Sequence, residues 1–119
     1  MNKLNIVLFA NNDLYRTLGL MKREPLLKEQ CAFFDFPYMY KHSFWNKNVG
    51  FPISLIFCDS EGQIKDIKYL NANQLDSVKP DSFDIKYVIE AHVDIPKDLG
   101  LKVGLKFNRN GNEITFNGL

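Results

Sequence analysis

The chain is 119 residues long, 45% hydrophobic and 24% charged, a profile expected of a single globular domain spanning residues 1–119. Its net charge of +1, with acids and bases interspersed, gives no broad field for a phosphate backbone or an anionic bilayer, so neither nucleic acid nor membrane is expected as a partner.

Residues 1–13, MNKLNIVLFANND, hold one lysine and a short apolar run at 6–10. That run is too short for a secretion-signal core with its cleavage site or for a bilayer span, and it reads as a first β-strand. A cytoplasmic location is expected on that basis, or a virion for a virus-encoded chain. Asn12 and Asp13 then supply helix N-cap and first-turn chemistry. Leu14, Leu18 and Met21 follow at i, i+4 and i+7, an apolar stripe that a short helix would dock. Pro25 biases Glu24 away from helical geometry and should end that helix.

From Cys31 the pattern changes to β. Residues 31–36 and 42–46 read as aromatic-rich strands joined by 37–41. In FPISLIFCD, Ile53, Leu55 and Phe57 line one face while Ile56 and Cys58 keep the other apolar, which predicts a strand covered on both sides. DSEG at 59–62 is a turn, and 63–70 its returning strand. Residues 71–84 form the longest loop, and Ile85, Tyr87 and Ile89 share one face of another strand. At most one helical turn is expected at 96–99. Asn110-Gly111 predicts a two-residue hairpin that opposes Phe107 to Ile114 and Leu105 to Phe116. The sum is an α+β domain, mainly antiparallel β as a compact sheet or partly open small barrel, with one short helix packed on it in its N-terminal half.

Three stretches in this order carry a family resemblance: RTLGLMKREPL at 16–26, FWNKNVGFPISLIFCDSEGQI at 44–64, and YVIEA followed by LGLKVG within 87–104. Together they resemble the uncharacterised conserved family catalogued as domain of unknown function 192, over roughly residues 5–107. Arg16, Gly19, Leu20, Met21 and Arg23 match its helix motif. Phe44, Trp45, Lys47, Asn48 and Pro52 match its second motif, and Gly100, Lys102 and Gly104 its third. Asn46 stands where that family usually has Met, Ser54 where it often has Asp, and Leu105 where Asp usually follows the last glycine. The resemblance implies a fold and a candidate surface, and no reaction.

Chemistry-bearing constellations are sparse. Cys31, His42, Cys58 and His92 lack the short spacings that pair zinc ligands, so no metal and no cofactor is expected. The cysteines read as buried free thiols, and the histidines as ordinary surface or strand residues. No Gly-x-Ser-x-Gly turn, phosphate-cradling glycine pattern or paired carboxylates occur in the motif regions.

SFWNKN at 43–48 is the candidate site. As a rim, Trp45 offers an apolar face with one donor, Lys47 a positive charge, and Asn46 and Asn48 donors and acceptors, with Arg16 or Arg23 nearby. Such a group suits a small anionic or amide-bearing ligand, or a protein partner. As core, Phe44 and Trp45 pack inside while Lys47 and Asn48 build a turn, and the two arginines sit solvated on a helix surface. The expected function is a small non-enzymatic binding or accessory domain. The alternatives are a structural or assembly protein of a larger complex, such as a virus-particle decoration protein, and a small enzyme with a dispersed site.

Overall fold

The computed structural model describes residues 2–117. Seven strands form one sheet: β1 (Lys3–Ala10), β2 (Gln30–Tyr40), β3 (Ile53–Cys58), β4 (Ile64–Leu70), β5 (Ile85–His92), β6 (Lys106–Asn110) and β7 (Glu113–Asn117). Two short helices, α1 (Asp13–Leu18) and α2 (Ile95–Asp98), complete the elements. The strand order is β4-β3-β5-β2-β1-β7-β6. β1 and β2 pair in parallel, and every other neighbouring pair is antiparallel.

The outer strands meet at one end. Ile64 N–H donates to Leu105 O at 2.7 Å, Gly104 N–H to Ile64 O at 3.0 Å and Phe107 N–H to Gly62 O at 3.0 Å. These bonds curl the sheet into a partly open barrel, removing part of each exposed edge.

Alternation along the strands sorts side chains into two cores. Leu4, Cys31, Phe33, Ile56, Cys58, Ile64, Ile89 and Ile114 fill the barrel interior with Ile95, Leu101 and Leu105. On the outer face, Leu8, Ala32, Phe34, Ile53, Leu55, Phe57 and Val88 pack under Leu20, Leu26, Phe44, Val49 and Phe51, which come from the segments that follow α1 and β2. All six residues of β3 are therefore buried, as its two-sided apolar pattern predicts. Both cysteines are free and buried. Burial pushes the Cys31 thiol up to about 12, and burial with the nearby Asp59 raises Cys58 further.

Several local expectations need correction. The helix begins as read, with Asn12 Oδ1 accepting from Tyr15 N–H at 2.9 Å, but it stops at Leu18 because Gly19 takes φ +48°. Of its expected docking stripe only Met21 packs against the outer core; Leu14 is 63% and Leu18 45% exposed, and Leu20 beyond the helix is the buried anchor. β2 runs on through Pro37 to Tyr40, and the sheet tolerates that proline because the β2–β5 register breaks between Asp35 and Tyr40. Residues 42–46 are loop, tied by a single bridge between Phe44 and Val78.

The hairpin turn sits at Gly111-Asn112, with Gly111 at φ +62°, so Phe107 opposes Phe116 and Arg109 opposes Ile114. This two-residue slide from the expected register leaves Leu105, Phe107, Ile114 and Phe116 on their expected common side, because side chains alternate with period two. Along β5, Tyr87 and Ile89 face the barrel interior, whereas Ile85 joins the outer core, so the three do not share a face.

Candidate functional site

Over the outer core lies a cavity of about 210 Å³, walled by the 16–21 segment, by Phe34 and Phe36 of β2, and by the 43–49 loop. Glu90 of β5 lines it as well. Val88 and Glu90 are two apart on β5 and point to the same side. Glu90 pairs with Ala32 on one neighbouring strand and Leu55 on the other, and the small Ala32 side chain leaves room beside the carboxyl. Glu90 is only 4% exposed. Desolvation alone pushes its carboxyl up to about 8, with no hydrogen bond or neighbouring charge to hold it down. It is therefore largely protonated near neutral pH.

Asn46 provides the second polar group. Its side-chain Nδ2 donates to Phe51 O at 3.0 Å and Asn71 O at 2.9 Å. Two carbonyl acceptors fix the amide orientation, because only the NH₂ end can satisfy them. The backbone N–H of Asn46 donates to Gln74 O at 2.8 Å. The residue thus joins the 43–49 loop to the loop after β4, and its Oδ1 is left buried without a partner. That atom belongs to a residue lining the cavity.

The sequence-derived candidates divide. Arg16, Trp45, Asn46 and Lys47 line the cavity, and Asn48 and Arg23 do not. Phe44 is core, as the packing alternative has it, but Trp45 is not: it is 45% exposed. Lys47 folds back with Nζ 5.4 Å from the Trp45 ring centroid. Asn48 makes the turn instead, at φ +59°, with its carbonyl accepting from Lys22 N–H at 2.8 Å. Arg23 is exposed on the segment after Gly19.

Arg16 is committed to structure. Its Nη1 donates to Asp35 O at 2.8 Å and its Nη2 to Asp13 Oδ1 at 2.9 Å, and its guanidinium lies 5.7 Å from the Phe36 ring centroid. These contacts moor α1 to β2 and shape one cavity wall. His42 is neither the surface nor the strand residue expected. It is buried, stacked on Phe36 at 3.6 Å between ring centroids, and its Nε2 lies 3.0 Å from Tyr38 O. Burial is the main cause that lowers its pKa below 6.5; the Tyr38 carbonyl opposes, and the charges of Arg16 and Lys86 add to the lowering.

Glu90 is the residue that motif reading misses. Its signal is present in YVIEA: an acid on a strand apolar on both sides, where Val88 and Ile89 already claim opposite faces. Such an acid has nowhere to go but inward. Among the described residues, no group of three or more His, Cys, Asp or Glu side chains is placed to hold a metal ion. No helix among them is long and apolar enough to cross a membrane.

Similarity to solved structures is clear at the level of fold. A crystal structure from Sinorhizobium meliloti 1021, described as that of "a putative transcription regulator", superposes with a TM-score of 0.76 at 25% identity, covering 97% of this chain and 81% of that one. A protein of unknown function from Novosphingobium aromaticivorans DSM 12444 gives the same TM-score at 19% identity, over 92% of this chain and 71% of that one. No curated protein matches. The family model DUF192, an uncharacterised ACR, matches residues 3–108. That span includes both cavity walls, the Asn46 clamp and Glu90, and the chain therefore belongs to the DUF192 family.

Proposed function

We propose that this domain is a small ligand-binding or accessory module, acting as one unit, whose site is the cavity bounded by Arg16, Trp45, Asn46, Lys47 and Glu90. The observation that carries this reading is a pair of polar groups on one largely apolar-walled cavity: the Glu90 carboxyl, on a residue 4% exposed and without a hydrogen bond from the chain, and Asn46 Oδ1, buried without a partner. Burying such groups unpaired costs stability, and a cavity that keeps them is organised for something that supplies the missing bonds. The half-exposed Trp45 supports the same reading as a lid-like apolar face at the rim. A binding role is favoured over catalysis because the residues lining the cavity offer Glu90 no second carboxylate, histidine or cysteine as a working partner. The two free thiols support a reducing, cytoplasmic setting. The regulator description of the Sinorhizobium structure is not carried over, since a net charge of +1 favours no polyanion.

Native mass spectrometry of the protein purified from its own source tests this reading. A small mass excess over the denatured chain, lost in Trp45→Ala, is the expected result. A bare chain with no retained or titratable small molecule would remove it.

A second reading, assembly into a larger complex such as a virus particle, draws on a different surface. Tyr38, Met39, Tyr40 and Phe83 are all more than half exposed, and Tyr40 and Phe83 lie 6.1 Å apart between ring centroids. A defined oligomer or a co-purifying particle that is lost on Tyr40→Ser with Phe83→Ser would favour it.

A further inference from the structure

We propose, resting on the ligand-binding reading above, that the cavity takes the head of a small organic amine, its N–H groups donating to the Glu90 carboxylate and to Asn46 Oδ1 while its apolar part lies against the aromatic wall. Both orphan groups can accept. Asn46 Oδ1 can do nothing else, because its NH₂ is spent on the Phe51 and Asn71 carbonyls. Glu90, protonated while the cavity is empty, gives up that proton when an ammonium sits beside it, to solvent or to the incoming neutral amine, and then offers two further acceptor oxygens and no donor. A primary ammonium has three N–H donors and matches that set.

Charge points the same way. Arg16 and Lys47 are the two cations lining the cavity. The first has its guanidinium engaged by Asp35 O and Asp13, and the second is turned back over the Trp45 ring. Neither charge offsets the burial that raises the Glu90 carboxyl. A cationic ligand would supply the countercharge that the chain withholds. The rings of Phe34, Phe44 and Trp45 along the wall present faces and edges suited to an apolar body next to a cation. A volume of about 210 Å³ exceeds the roughly 150 Å³ that accommodates benzene, so an aryl-alkyl amine falls in the right size range.

The discriminating experiment titrates the full chain with three probes of matched shape: phenethylamine, 2-phenylethanol and 3-phenylpropanoate. Binding is followed by Trp45 fluorescence, which is unambiguous because the chain has one tryptophan, and by calorimetry. Phenethylamine should bind at least about tenfold more tightly than the alcohol, the worth of one charge-assisted hydrogen bond, and the carboxylate should bind least. Glu90→Gln, which keeps the size of the side chain, should reduce the preference for amine over alcohol to under about threefold. Equal or tighter binding of the alcohol or the carboxylate overturns the amine assignment and leaves the binding reading standing. Failure of phenethylamine to bind overturns the assignment too. A small mass retained by the source-purified protein would then still uphold the binding reading, whereas a bare chain would remove both.

Discussion

Asn46 Nδ2 donates to the Asn71 carbonyl oxygen at 2.9 Å, and with the backbone bond from Asn46 N–H to Gln74 O it ties the loop that carries Trp45 to the loop that follows β4. The same side-chain nitrogen reaches Phe51 O, so a single amide holds three chain segments in place. Asn46→Ala leaves two carbonyls without their donor in a site with little water. A loss of about 2–4 kcal/mol is expected, read as a lower midpoint in urea unfolding, and a variant as stable as the parent would show that the clamp is dispensable.

Trp45 separates rim from core. Nearly half its surface is exposed and its ring is covered only in part, by Lys47. Trp45→Ala should therefore keep the fold, with a change of about 1 kcal/mol or less, while abolishing retention of whatever small molecule co-purifies. Circular dichroism and thermal unfolding read the first outcome and native mass spectrometry the second. Collapse of the fold would place Trp45 among the core residues after all.

Glu90 gives stability a pH dependence of definite sign. Its carboxyl is raised by burial from an ordinary 4.5 to about 8 in the folded chain. Between those values the folded state holds a proton that the unfolded chain has released, so stability falls as pH rises from about 4.5 to about 8 and levels off above. The full effect is at most about 5 kcal/mol. Glu90→Gln should remove this slope, leaving the variant close to the parent at pH 5 and more stable than it at pH 9. Parallel unfolding curves for the two proteins across that range would contradict the assigned burial.

The barrel seam depends on Gly62. It sits at φ +84°, and a Cβ built there would lie 3.1 Å from Phe107 O, the backbone of the opposing edge. Gly62→Ala adds strain and pushes the β4 and β6 edges apart, with an expected cost of about 1–2 kcal/mol. Hydrogen exchange should quicken first at the Ile64, Gly104 and Phe107 amides, whose bonds close the seam. Protection unchanged at those three amides would argue that the seam closes without help from Gly62.

The thiols should be silent until the chain unfolds. Cys31 and Cys58 are buried and free, and burial raises both above their usual range. A thiolate-specific reagent at pH 8 should label neither in the native protein and both in denaturant. Rapid native labelling of one would mean that its core opens.

The sequence by itself determined most of the strands, the expected one at 42–46 excepted, and the facing of most core side chains. The two-sided apolar pattern of 53–58 can be satisfied only by a strand covered on both faces. Period-two alternation kept Leu105, Phe107, Ile114 and Phe116 together even though the turn moved to Gly111-Asn112. The ordered motifs around Arg16, Trp45 and Gly100 were sufficient to indicate the family.

Tertiary structure decided everything that depends on who covers whom. Leu14 and Leu18 have helical spacing but stay outside the core, because Gly19 turns the chain and sends Leu20 inward instead. Trp45 and Asn46, adjacent in sequence, part company: the loop lies across the sheet, so the aromatic faces solvent and the amide finds the Phe51 and Asn71 carbonyls. Glu90 and Asn46 are 44 positions apart along the chain and share a cavity only because the strand that follows the long loop inserts between β3 and β2. Proximity of that kind is a property of sheet order, which local side-chain pattern does not encode.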